Sequence, residues 1–311
     1  MKKVLLIGGG GTLGTYTSKE LISQGYDVDV ICLDDKVSEN ENLKFYKAEA
    51  TNEYLTELFK RNCYDGIVNF IHYPEVETYK PVHKLLSENT DHLIFLSSYR
   101  VYADLEHPVT ENSPMLLDVS DDEEFLKNEK YALSKAKAEK FLLNESNTDN
   151  WTAVRPVISI SQYRMDLVTR GGHDIIEAAK NKTPLSLPKV AKELTAGVDW
   201  SGNTGKLIAN LLFKDGVFKQ AYTISSAQNL KWGQVADIYT ELTGAEFIWL
   251  DTEEYLKVHP VVDRHILMYD RFFDRKIDNS KVLRATGLSE KDFLPIREGI
   301  KIELEKIGFK K

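Results

Sequence analysis

The segment Ile7-Gly8-Gly9-Gly10-Gly11-Thr12-Leu13-Gly14 constrains this chain more than any other. It follows a short apolar run, residues 4–7, and opens into a stretch with helical spacing that carries Thr17, Leu21 and Ile22. Gly8, Gly11 and Gly14 recur at every third position. A strand-to-helix turn built this way uses one glycine to reverse the chain, a second to let the backbone approach a pyrophosphate, and a third to let helix and strand pack closely. The free N–H groups and positive dipole end of the new helix favour phosphate charge. The turn therefore fits a dinucleotide.

The rest of the first half alternates short β-rich runs with amphipathic helical stretches. Strands are predicted over residues 4–7, 28–33, 43–46, 66–71, 92–96 and 151–154, with helices over 13–24, 53–60 and 130–144. This alternation predicts an α/β fold, a Rossmann-type doubly wound parallel sheet with helices on both faces. The near-continuous apolar character of the runs fits strands covered on both sides. The second half has weaker alternation and more prolines. It is read as a smaller α/β substrate-binding domain toward the C-terminus. The expected partition is a dinucleotide-binding domain over 1–158, with later sheet elements from about 199–243, and a substrate domain over 159–198 and 244–311.

Composition excludes several classes. A net charge of −8 over 311 residues gives no basic footprint for nucleic acid. Lys135, Lys137 and Lys140 cluster, but among acidic residues. Cys32 and Cys63 lack metal-ligand or redox spacing, so no metal site is expected. No apolar run approaches the ~20 residues of a membrane span, and nothing resembles a signal peptide. A cytoplasmic protein with no membrane partner is expected.

Asp34 follows the second predicted strand, about twenty positions past Gly14, where a carboxylate accepts hydrogen bonds from the adenosine ribose and repels a 2′-phosphate. NAD is therefore favoured over NADP, with Asp35 as the alternative carboxylate. Tyr131 and Lys135 lie four apart on a predicted helix and share a face. An ammonium there stabilises phenolate and lets the tyrosine exchange protons near neutral pH. Ser97 and Ser98 follow the fifth strand, at the carboxyl edge where open α/β sheets bind ligands.

These residues resemble the extended short-chain dehydrogenase/reductase family, in its NAD-dependent epimerase/dehydratase branch. The resemblance is dense to about Pro156 and thinner beyond it. It implies a cofactor site at Gly8, Gly11, Thr12, Leu13, Gly14, Asp34 and Lys135, and a catalytic set Ser98, Tyr131 and Lys135. Val101-Tyr102, aligned with the family's Val-Tyr-Gly, selects Ser98 over Ser97. Glu49 takes the adenine-contacting place where the family has Gly-Asp. Asn69-Phe70-Ile71-His72 replaces a smaller His-Leu-Ala-Ala, so Ile71 narrows the cofactor groove and His72 becomes a substrate or cofactor contact. After Ser98 the family's dehydratases carry Asp-Glu; Tyr99 and Arg100 stand here, which disfavours 4,6-dehydration. Arg100, Arg155, Arg164 and Arg271 are the candidate contacts for an anionic substrate group, and Tyr163, Trp200 and Tyr269 are candidates to line the cleft. Val157-Ile158-Ser159 lacks the asparagine many members use near a nucleotide phosphate.

The expected activity is reversible hydride transfer on a sugar or nucleotide-sugar hydroxyl with Tyr131 as acid/base, in an epimerase or oxidoreductase. The alternative is a non-catalytic NAD-binding or regulatory protein on the same fold. The resemblance further implies a homodimer.

Overall fold

A computed structural model describes residues 2–310. Eleven strands occur among them: β1 (Lys3–Ile7), β2 (Asp27–Cys32), β3 (Leu43–Lys47), β4 (Gly66–Asn69), β5 (His92–Leu96), β6 (Trp151–Pro156), β7 (Ile158–Ile160), β8 (Leu185–Pro188), β9 (Val198–Trp200), β10 (Gln220–Ile224) and β11 (Phe247–Leu250). Seven of them form one sheet in the order β3-β2-β1-β4-β5-β6-β10, with every neighbour parallel. The chain thus reverses its direction of growth between β1 and β4, and that switch point is where a doubly wound sheet opens a ligand crevice.

The period-two geometry of a strand explains how the sheet holds two layers of helices. In β1, Val4 and Leu6 join a buried cluster with Leu21, Leu207, Ile208 and Leu211 from the Thr12–Ser23 and Ser201–Leu211 helices. Leu5 and Ile7 face the other way, against Leu55, Tyr79, Leu86, Phe141 and Leu142 from the Asn52–Phe59, Val76–Ser87 and Tyr131–Asn144 helices. Val4, Leu5, Leu6 and Ile7 are all fully buried, which is why the run carries no polar alternation. Gly205 makes the first layer tight: a Cβ there would fall 2.6 Å from the Cβ of Tyr16.

Beyond β6 the chain builds two small parallel pairs, β7 with β9 and β8 with β11. A third cluster binds them together, including Ile160, Leu187, Val198, Trp232, Tyr239 and Ile300. The two halves interleave. β10 completes the large sheet, the Trp232–Thr243 helix packs in the third cluster, and the Ser280–Thr286 helix returns Val282 to the sheet face. The first-half elements match their predicted ranges to within one or two residues, since glycine and polar turns bound them sharply.

Candidate active site

The end of the cleft beside β1 is backbone. Gly8 closes β1 at φ +72°, the left-handed region glycine tolerates, and its N–H donates to the Ile31 carbonyl at 2.9 Å. A Cβ on Gly14 would lie 2.3 Å from the Cα of Gly9, so only glycine lets the helix start this close to the strand. Gly11 is the N-cap residue of the Thr12–Ser23 helix, and nothing lies within 4 Å of the place its Cβ would take. That open cradle, with the helix N–H groups behind it, fits a pyrophosphate.

Asp34 stands just past β2 with an exposed side chain; its carboxylate lies 3.6 Å from where a Cβ on Gly10 would be. Asp35 instead approaches Lys47 at 3.5 Å. Asp34 is therefore the carboxylate beside the turn. Lys36, which sequence reading passed over, donates to the Gly10 carbonyl and lies 3.9 Å from Asp34. Ile71 reaches the turn from β4, its Cγ1 3.2 Å from the Cβ position of Gly8. Glu49 is exposed after β3 and does not line the cavity.

The centre of the cleft joins three elements. β5 delivers Ser97 and Ser98, and the structure separates them. Ser97 is fully buried and donates to Glu139, whereas Ser98 lines a cavity of about 500 Å³. Ser98 Oγ also accepts from the Arg100 N–H at 3.2 Å, capping a single 3-10 turn over Tyr99–Val101. Tyr131 opens the Tyr131–Asn144 helix and lines the same cavity. Lys135, one turn on, is buried with Nζ 6.0 Å from the Tyr131 ring centre and donates to the carbonyls of Leu96 and Ile71. Burial pushes the Lys135 ammonium down to about 7, with Glu139 acting in the opposite direction.

His72 packs against Tyr131 with ring centres 4.9 Å apart, and its Nε2 lies 2.8 Å from Ser134 Oγ. Burial, then the Lys135 charge, lowers its pKa and keeps the imidazole neutral at physiological pH. The Arg100 guanidinium sits 5.3 Å from the Tyr131 ring centre.

The opposite end is a side-chain network. A π turn over Leu267–Arg271 carries Asp270 and Arg271 into the cavity wall. Asp270 accepts from Tyr99 Oη at 2.7 Å and pairs with Arg271 and, at 3.4 Å, with Arg100. Burial alone would raise the Asp270 pKa; Arg271, Arg100 and Arg275 outweigh it and hold the carboxylate ionised. Arg100 also pairs with Glu129 at 3.0 Å, and Asp166 holds Arg164 at 2.8 Å and Arg271 at 3.4 Å.

Arg155, expected as a substrate contact, does not reach the cavity. It is buried and holds Glu139 through Nε and Nη2, with Nη1 donating to Tyr102 Oη at 2.8 Å and the Glu111 carbonyl at 3.0 Å. Trp200 and Tyr269 also point elsewhere: Trp200 donates to Glu303 and meets Tyr16 edge-on, and Tyr269 stacks on Phe125. Tyr163 is exposed beside Lys36 and outside the cavity lining. Sequence reading missed Asp270, Phe70 and the role of Tyr99. An acid next to an arginine reads as a solvated pair, and nothing local marks a partner more than 160 positions away. Among the described residues, no group of three or more His, Cys, Asp or Glu is placed to hold a metal ion.

The family model described as "NAD dependent epimerase/dehydratase family" matches residues 4–200. The chain belongs to that family. The family is NAD dependent, so the protein is an NAD-dependent enzyme of the epimerase/dehydratase kind. Among solved structures, an epimerase from Methanothermobacter thermautotrophicus superposes with a TM-score of 0.72 at 16% identity, over 98% of this chain and 92% of that one. UDP-glucose 4-epimerase from Thermotoga maritima, solved with UDP-glucose, gives 0.70 at 15% identity, with 98% of each chain covered. The enzyme WbmH from Bordetella bronchiseptica, solved with NAD+, gives 0.70 at 16% identity, over 99% of this chain and 100% of that one. No curated protein matches the sequence. Among the described residues, no helix is long and apolar enough to cross a membrane.

Proposed function

We propose that the protein catalyses reversible hydride transfer at a hydroxyl-bearing carbon of a sugar or nucleotide sugar, with Tyr131 as acid/base. The observation that carries this reading is the convergence of Ser98, Tyr131 and the glycine turn on one cavity, with Lys135 buried behind the tyrosine. Gly8, Gly11, Thr12, Leu13 and Gly14 would hold the NAD pyrophosphate, Asp34 the adenosine ribose and Lys135 the nicotinamide ribose. Glu49 and Ile71 would flank the adenine and the turn. NAD, when bound, supplies the acceptor that takes a hydride and returns it. Ser98 Oγ orients the substrate hydroxyl, and the Tyr131 phenolate takes its proton. In the reverse direction the Tyr131 phenol protonates the alkoxide.

Net 4,6-dehydration is disfavoured. It needs a free acid and a free carboxylate beside the reacting carbon, but the two residues after Ser98 are a tyrosine bound to Asp270 and an arginine. Stoichiometry tests the reading. An epimerase regenerates its NAD each cycle, and a net dehydrogenase releases one NADH per turnover. Substrate-dependent reduction or epimerisation in a sugar and nucleotide-sugar panel is expected. Tight NAD binding with neither outcome would support the non-catalytic alternative. The helices Val76–Ser87 and Tyr131–Asn144 are the proposed two-fold dimer face, checked by light scattering, where a monomer mass would remove it.

A further inference from the structure

Resting on the reading of Tyr131 as acid/base, we propose that the substrate carries a carboxylate close to its reacting carbon, seated on Arg100 and Arg164. Arg100 is placed for this. Its backbone N–H binds the Oγ of Ser98 and its guanidinium lies against the Tyr131 ring, so a group it holds is only a few bonds from the hydroxyl that reacts.

The donors differ sharply in how they are used. Arg271 is fully engaged: Nε donates to the Val168 carbonyl at 2.7 Å, Nη1 to Asp270 and Tyr99, and Nη2 to Asp166. It frames the wall. Arg100 binds Glu129 through Nη2 and faces Asp270 with Nε at 3.4 Å, and its Nη1 has no hydrogen bond among the described residues. Arg164 gives Nε and Nη2 to Asp166 and leaves Nη1 free in the same way. Two guanidiniums therefore line the cavity with donors in hand.

The free donors point to an anion. Arg100, Arg164, Arg271 and Arg275 surround this end, against Glu129, Asp166 and Asp270. Arg275 is buried between the Tyr99 and Phe273 rings, donates only to the Tyr102 carbonyl, and has Nε and Nη2 unpartnered. Asp104, engaged by His107 and the Asp274 amide, also acts on the Arg275 charge. The Nη1 donors of Arg100 and Arg164 are what an anion in the cavity would meet. A carboxylate supplies one negative charge and a planar pair of oxygens that suits the guanidinium fork.

The test is calorimetry on the NAD-loaded full-length protein with UDP-glucuronate against UDP-glucose, glucuronate against glucose, and glucose 6-phosphate as the phosphate arm. At least one acid should bind at least about tenfold more tightly than its neutral counterpart. Arg100→Met should cut that ratio to under about threefold, and Arg100→Lys should restore part of it. An unchanged NAD affinity shows that each variant is folded. No acid preference in either pair, or a preference that survives Arg100→Met, overturns the proposal; tighter binding of the phosphate replaces the carboxylate with a phosphate monoester. Tyr131→Phe separates the two readings: it should keep the acid preference while losing turnover. Retained turnover there refutes the acid/base assignment and leaves the binding ratio standing.

Discussion

The two ends of the cleft are built by opposite means. At the end beside β1, proposed to hold the nucleotide, the surface is backbone supplied by seven consecutive residues, Gly8–Gly14, with one carboxylate added just past the neighbouring strand. At the opposite end, Tyr99, Arg100, Glu129, Asp166 and Asp270 meet across more than 170 positions of sequence. A backbone cradle depends on the absence of side chains and is specified locally. A salt-bridge wall depends on side chains that the whole fold must deliver together.

The sharpest way to break this contrast is at Gly14. Gly14→Val places side-chain atoms inside the Gly9 backbone, so a loss of roughly 3 kcal/mol or more is expected, together with NAD binding. A thermal melt and NAD titration check it, and wild-type values for both would remove the packing argument. Asp270→Ala should be nearly as damaging by a different route, because it leaves Arg271 and Arg100 without their shared partner. About 3–5 kcal/mol of stability is expected to go. NAD affinity of the surviving folded protein should stay within a few-fold of wild type, since no residue of the turn touches Asp270.

Acid should weaken the frame common to both ends. His92 accepts the Phe213 N–H on Nδ1 at 3.0 Å, so Nε2 carries its proton toward Thr152 Oγ1 at 2.9 Å. A second proton would remove that acceptor. Burial lowers the pKa of His92, and of His83, from 6.5 to about 4. The folded state therefore binds fewer protons than the unfolded one between those values. The stability these imidazoles contribute is whole above pH 6.5 and is lost as pH falls through about 4, by up to about 3 kcal/mol each. Imidazole resonances of His83 and His92 should not titrate above about pH 5; either one titrating near 6.5 contradicts the burial account.

Gly11→Ala separates stability from binding. Its Cβ meets nothing in the fold, so stability should hold within about 1 kcal/mol while NAD affinity falls about tenfold as the pyrophosphate is pushed away. Equal affinity would show that the phosphates lie elsewhere. The smallest effect is expected at His72, where His72→Ala removes a ring packed on Tyr131. A drop of a few-fold in kcat at constant NAD affinity is expected, and an unchanged kcat would make His72 packing only.

This asymmetry also explains what could be read in advance. Gly8, Gly11, Gly14 and Asp34 form a local pattern whose offsets reflect backbone geometry, and Tyr131 and Lys135 share a helix face by simple periodicity. Strands β1 to β6 were legible because burial on both faces leaves unbroken apolar runs. Arg155 misled because an arginine in sequence looks the same whether it faces a ligand or a buried Glu139. Asp270 was hidden because its partners, Tyr99 and Arg100, lie at the end of β5 and its own π turn has no sequence signature.

Tyr131 lies between the two ends of the cleft, and single-turnover absorbance at the reduced-nicotinamide band tests its proposed role most directly. With a sugar substrate that supports turnover, NAD-loaded wild type should show the band rise, or rise and decay within each epimerisation cycle. Tyr131→Phe should slow that hydride transfer by roughly 10²–10⁴-fold with NAD affinity preserved. Hydride transfer at the wild-type rate in Tyr131→Phe would contradict it.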